Sequence, residues 1–367
     1  MAFFVCLPLL SSAQKNPTPS ASTDQSGAVS PPETQVPALS PRPAPAPTPK
    51  NADGRIHLDV VVTDKSGKPI SGLALNDFKL LDNNQLNPIL SFQAIDENVQ
   101  KVGPPVEVIL LIDTVNIGFQ QVSFVRQQVQ NFLLQNGGHL AQPVSVFMLT
   151  NDGVEAQPRP SSDGNALAAG VNQLETHLRT ISRSAGAWGA IERMDFSIRM
   201  MMGIADNEAR KPGRKLLIWA SSGWPMLDSP RIITSSKSEQ HDFDAIVRLS
   251  TRLREARISV YSISQGTANV DSFLYQEFLK GVKTSERASP PNLALKVLAV
   301  QSGGRVVGPD NDMTAQIGNC VRDASSFYTL SFDPPRADRA NEYHDLKVQI
   351  DKPGLTARTN TGYYNQP

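Results

Sequence analysis

The eleven residues VEVILLIDTVN, 106–116, decide the fold. Their first seven form a nearly continuous apolar run, too short for a helix of its own, as strands buried on both faces do, and the run stops at Asp113. Three more runs of this kind follow: VSVFML at 144–149, KLLIWA at 215–220 and ISVYSI at 258–263. Between them apolar residues recur at helical spacing. Val122, Val125, Val129, Phe132 and Leu133 share one face; Leu167, Val171 and Leu174 mark a second helix; Ile191, Met194, Ile198 and Met201 a third; Phe243, Ile246, Val247 and Leu253 a fourth. A helix over 292–301 that stops at Gly303-Gly304 before the strand RVV, and another over 313–322, complete the alternation. Repeated β-α-β units predict an α/β fold: an open, mainly parallel sheet with helices on both faces.

Working outward, the period changes to two. IHLDVVVTD places Ile56, Leu58, Val60 and Val62 on one face, SGKP turns the chain, and DFKLLD and ILSFQAI follow. A matching texture returns at the far end, where FYTLSF, HDLKVQI and LTARTNTGYY are separated by DPP and DKPG. Neither set has enough strands to stand alone, so the two ends are expected to pair into one small β-sandwich. The predicted organisation is a leader over 1–14, a Pro/Ala-rich linker over 15–54, N-terminal strands over 55–103, the α/β domain over 104–325, and C-terminal strands over 326–367.

The leader reads MAFFVCLPLLSSAQ, apolar and then small, with cleavage points at Ser12-Ala13 or Ala13-Gln14, though it has no basic start. Eleven of the 28 prolines fall in the first 50 residues, and the tract ending PRPAPAPTPK favours an extended spacer over a packed core. An exported protein, periplasmic or extracellular, is the expectation. The 367 residues carry 35 basic and 35 acidic side chains. That balance argues against a nucleic-acid partner, and no apolar run reaches the roughly 18–20 residues of a membrane span, so no membrane insertion is expected once the leader is gone. Cys6 and Cys320 give no disulfide framework.

An open parallel sheet offers its site beyond the carboxyl ends of its strands. There the sequence places Asp113-Thr114-Val115-Asn116-Ile117 and Ser221-Ser222-Gly223-Trp224-Pro225, with the loop SRSAGAWGA, 182–190, as a third contributor. The candidate binding residues are therefore Asp113, Thr114, Asn116, Ser182, Ser184, Ser221, Ser222 and Trp224. Trp224 is expected at the crevice as a contact for a partner, and Trp219 in the core. Catalytic signals are absent. His57, His139, His177, His241 and His344 have no paired spacing for zinc, no Gly-x-Ser-x-Gly surrounds a serine, and neither GxGxxG nor a P-loop is present. Arg210, Lys211, Arg214 and Lys215 read as a solvated helix-to-strand turn, with an anion-binding patch as the alternative.

The strand-end residues resemble those of the von Willebrand factor A (vWA) domain, whose metal-ion-dependent adhesion site uses Asp-x-Ser-x-Ser, a loop threonine and a strand-ending Asp-Gly. Here Val115 and Ile117 stand where the two serines belong, and Ser222-Gly223 where Asp-Gly is expected. A nearer resemblance, over about 56 to the C-terminus, is to the VWFA-related domain proteins known mainly from Acidobacteria. It rests on DFKLLDNNQ, LLIDTVN, PGRKLLIWASSGWP, ISVYSIS, QSGGRVV, FYTLSFDPP and PGLTARTNTGYY in that order. The resemblance implies a vWA-like domain with a degenerate metal site, and a non-catalytic module that binds an unknown protein at its strand-end face without a cofactor. Two alternatives stand beside it: a module that holds Mg2+ at a remodelled site on Asp113, and a hydrolase with an unrecognised site at Ser222. Asp113 also has a purely structural reading, as a helix cap or as an acceptor for the 221–223 loop.

Overall fold

The structure, a computed structural model, describes residues 54–96, 106–157, 159–174, 186–221, 223–224, 235–263, 273–308, 310 and 312–367. The expected leader, the linker up to Asp53 and the candidates Ser182, Ser184 and Ser222 lie outside the described residues. In chain order the strands are β1 (Ile56–Thr63), β2 (Phe78–Asp82), β3 (Gln85–Asn87), β4 (Ser91–Asp96), β5 (Val106–Asp113), β6 (His139–Thr150), β7 (Gly153–Ala156), β8 (Ser161–Asp163), β9 (Arg214–Ala220), β10 (Ile258–Ile263), β11 (Arg305–Val307), β12 (Ser326–Phe332), β13 (Glu342–Ile350), β14 (Thr356–Arg358) and β15 (Gly362–Asn365). The helices are α1 (Phe119–Leu133), α2 (Gly164–Leu174), α3 (Gly186–Glu208), α4 (Ser236–Glu255), α5 (Phe273–Leu279), α6 (Leu295–Gln301) and α7 (Met313–Val321).

The central sheet has the order β11-β10-β9-β5-β6-β7, with β8 also against β6. Its four pairings from β11 to β6 run parallel, while β7 and β8 are antiparallel to β6. From β5 the chain steps to β6 on one side, then returns across β5 to β9 and continues outward through β10 and β11. The order therefore reverses between β5 and β9, and in open α/β sheets the ligand crevice lies beyond the strand ends at that point. The apolar runs split by parity. Ile109, Leu111, Leu217, Trp219 and Val260 face α3 and α4, whereas Val108, Leu110, Ile112, Leu216, Ile218 and Tyr261 face α1, α2 and α7. Each buried aliphatic side chain contributes about 1.5–3 kcal/mol relative to exposure, which is why the alternation binds both layers of helices to the sheet.

The two chain ends form two four-stranded antiparallel sheets, β14-β1-β12-β4 and β15-β13-β2-β3. Ile56, Leu58, Val60 and Val62 share one apolar cluster with Phe78, Leu80, Leu330, Phe332, Leu346 and Val348, so both sheets line a common core. The odd-numbered Val61 instead joins Ile95 and Phe327 in the cluster under α1 and α7, tying this pair of sheets to the α/β body. LTARTNTGYY differs from its expected single strand: β14 pairs with β1 and β15 with β13, so 359–361 crosses from one sheet to the other. The helix expected over 292–301 starts only at Leu295, after a 3-10 turn over Pro290–Leu293 begun by adjacent prolines.

The basic turn before β9 is solvated only in its first half, where Arg210 is exposed and Lys211 partly so. Arg214 and Lys215 are each 1% exposed. Lys215 Nζ donates to the carbonyls of Lys211, Gly213 and Ala256 at 2.5, 3.0 and 3.3 Å, closing the ends of α3 and α4, and burial pushes its pKa down to about 8. Arg214, one residue earlier and on the other face, donates to the Asp323 carbonyl at 2.7 Å and lies 4.7 Å over the Phe327 ring.

Candidate functional site

Asp113 ends β5, and Ser221 follows β9, its parallel neighbour, where Ile112 is in register with Ala220. The reversal of strand order thus brings these two candidates together. Asp113 is fully buried, with no exposed surface. Its Oδ1 accepts from the backbone N–H of Val115 and of Asn116, both at 2.9 Å. Its Oδ2 accepts from Asn116 Nδ2 at 2.9 Å, Trp219 Nε1 at 2.9 Å and Ser221 Oγ at 2.8 Å. A carboxylate offers about four lone-pair sites, and five donors already fill them.

The supporting residues are themselves fixed. Asn116 Nδ2 also donates to Ser197 Oγ on α3 at 3.0 Å, and Ser221 Oγ accepts from the Gly223 N–H at 2.7 Å. Gly223 has φ +69°, and a Cβ there would lie 2.6 Å from the Leu295 side chain, so the turn requires glycine. Thr114 turns away: its N–H and Oγ1 both donate to the Leu149 carbonyl at the end of β6. Trp224 differs from its expected place at the crevice. It is 2% exposed, donates Nε1 to the Leu293 carbonyl at 2.9 Å and meets Trp219 edge-on at 5.7 Å, because the Gly223 turn folds the indole inward.

Trp219 was expected only as core, and it is core; its role as an Asp113 donor was missed. The signal available is chemical: an indole N–H in a buried strand needs an acceptor, and a strand-end carboxylate is the nearest kind. Around the closed network, Ile117 packs partly against the apolar core, and Phe119, the first residue of α1, is 68% exposed. A second polar cluster was also invisible in sequence. His344 Nδ1 meets Asp82 Oδ1 at 2.7 Å, and Tyr363 OH donates to Asp82 Oδ2 at 2.6 Å, inside the core of the antiparallel sheets. Burial, and then the bond to Asp82, raise the Tyr363 pKa.

The residues at the strand ends do not fit a magnesium ion. Hard cations need several oxygen ligands, and here the one carboxylate is filled by donors while Val115 and Ile117 offer no oxygen on their side chains. Among the described residues no group of three or more His, Cys, Asp or Glu could hold a metal, and no helix is long and apolar enough to cross a membrane.

No protein-family model and no curated protein sequence matches the chain. Among solved structures it is similar to the human COPII-coat protein Sec24c, at 9% identity and TM-score 0.32 over 71% of this chain and 44% of that one. It is similar too to the pilus adhesin SpaC from Lactobacillus rhamnosus GG, at 13% identity and TM-score 0.36 over 69% and 35%. The TFIIH p34 N-terminal domain matches at 11% identity and TM-score 0.27 over 58% and 95%. The chain spans less than half the length of the first two.

Proposed function

We propose that this chain is a non-catalytic protein-interaction module of an exported protein: a vWA-like α/β domain set between the two halves of a β-sandwich, binding a protein partner at its strand-end face without a metal. The observation that carries the reading is the saturation of Asp113. With five donors on its two oxygens, the carboxylate at the crevice has no capacity left to act as a base, a nucleophile or a cation ligand, and serves instead to hold the face rigid. Among the described residues the face presents exposed Phe119 beside half-buried Ile117, and Phe119 is the kind of aromatic anchor that protein interfaces favour. Export rests on the apolar leader and the proline-rich spacer after it.

Photocrosslinking tests this reading. A benzoylphenylalanine at position 119, in the cells that make the protein, is expected to trap one discrete protein adduct. The same residue at position 134, about 22 Å away at the far end of α1, traps none. No adduct at 119, or identical adducts at both positions, contradicts an interface at the strand ends.

A further inference from the structure

A cavity of about 720 Å³ lies elsewhere, between β11 and the β13–β14 hairpin. We propose that it captures an extended, acidic segment of a protein partner, which adds as a strand to the open edge of β13. This goes beyond the strand-end reading and is independent of it.

Backbone geometry supplies the first argument. β15 covers β13 only over 342–345, and β2 pairs with its other side over 346–350. The Leu346 N–H turns to the Thr361 carbonyl, and the Asp351 N–H to the Asp77 carbonyl beside β2. Since N–H and C=O groups alternate sides along an antiparallel strand, those of Val348 and Ile350 point with Leu346, into the groove. Among the described residues they meet no partner strand there. β14 and β11, on the facing walls, are the terminal strands of their own sheets. The turn at Asp351–Gly354 joins β13 to β14, yet each is bonded to a different sheet. The seam between them is lined by aliphatics of both sheets: Leu346, Val348, Ile350, Leu355 and Ala357. An edge with unpaired N–H groups over an apolar trough fits an extended chain with alternating side chains.

Charge selects the chemistry of that chain. Arg305, Lys347 and Arg358 line the groove, and none of its lining residues is acidic. Behind them lies one buried carboxylate, Asp323, which faces two guanidinium groups and accepts from the Tyr261 hydroxyl at 2.9 Å. Arg358 Nη2 donates to its Oδ2 at 2.7 Å, Arg305 Nε stands 3.8 Å away, and Arg214 reaches only its backbone carbonyl. The cluster is left under-satisfied: Arg214 Nε, Arg305 Nε and Asp323 Oδ1 are buried without a hydrogen-bond partner. Arg305, Arg358 and Lys347 on the groove's lining, against the one carboxylate behind it, leave an excess of positive charge that favours an anionic occupant. The chain's own N-terminal tract is a poor candidate: residues 16–50 hold Arg42 and Lys50 against Asp24 and Glu33, and their prolines lack the N–H groups a strand needs.

The test uses the full chain and three fluorescein-labelled octapeptides: (Val-Glu)4, (Val-Lys)4, and (Val-Glu)4 with alternate residues N-methylated. Anisotropy is expected to show (Val-Glu)4 binding at least tenfold tighter than either of the others. Lys347→Glu and Gln349→Glu, both at exposed positions, are expected to weaken it at least fivefold with unchanged circular dichroism. Amide exchange at Val348 and Ile350 slows when the peptide is bound. Equal binding of the N-methylated peptide overturns strand addition, and equal binding of (Val-Lys)4 overturns the charge argument. Displacement by sodium glutamate at matched carboxylate concentration means a free-anion site, and protection confined to other strands means another surface; either outcome overturns the proposal.

Discussion

Two places in this molecule stand in opposite states. At the strand ends, where an open α/β sheet ordinarily receives a ligand, Asp113 has more donors than lone pairs. At the β13–β14 seam, where the fold class predicts nothing, two guanidinium groups share one carboxylate and part of a strand edge is unpaired. The difference teaches that fold-level position is a weaker guide to a binding surface than local satisfaction. A polar group whose partners are all internal stabilises the fold; one whose partners are missing leaves capacity for something outside it.

The contrast repeats between adjacent residues. Lys215 gives its ammonium to three carbonyls, whereas Arg214, facing the other side of the sheet, keeps a buried Nε without an acceptor.

Substitutions should separate the two states by size of effect. Asp113→Ala strands five buried donors at once and is expected to cost about 5 kcal/mol in urea unfolding, within reach of the whole stability of a domain; a cost under about 1 kcal/mol breaks the claim that Asp113 anchors a closed network. Asp323→Asn removes the counter-charge that the Arg305 and Arg358 guanidinium groups share and is expected to cost about 3–4 kcal/mol by the same measurement. Lys215 supplies a pH dependence. Its folded pKa of about 8 lies below the ordinary 10.5, so between those values the unfolded chain holds a proton that the folded chain has released. Stability contributed by this group therefore rises with pH from about 8 to 10.5, by at most about 3 kcal/mol, and is flat below. Lys215→Met should remove that slope; an unchanged slope assigns it to another group.

Arg305→Gln is a smaller test in the opposite sense. Removing one guanidinium from a cluster with excess positive charge should cost less than about 1 kcal/mol, and a loss comparable to Asp323→Asn would show that the cluster is balanced after all. The smallest expected effect is that of magnesium. With Asp113 filled, about 10 mM MgCl2 against EDTA should shift the melting temperature by less than about 1 °C.

Much of the fold was legible because it is written in local periods. The runs at 106–112, 215–220 and 258–263 match β5, β9 and β10 to within one residue. β6 begins five residues earlier than its apolar run, at His139, because its first half alternates exposed and buried and lacks the continuous apolar signal. β7 and β8 are short and polar, and carry no period to read. At the site, Asp113, Asn116 and Ser221 converge as their strand-end positions suggest. Trp219 could not be joined to them without knowing that β9 lies beside β5, a pairing of residues about 100 positions apart that no local pattern encodes. The same holds for Asp323 and its arginines, which come from β9, β11 and β14.

The measurement that addresses the contrast most directly is native-state hydrogen exchange on the free protein. Val115 and Asn116 donate their amides to Asp113, while Val348 and Ile350 direct theirs away from β2 into the seam. Protection of Val115 and Asn116 by at least about a thousandfold, with Val348 and Ile350 within about tenfold of the unprotected rate, is the predicted result. Fast exchange at Val115 and Asn116, or equal protection at all four amides, would contradict a saturated Asp113 and an open seam in one molecule.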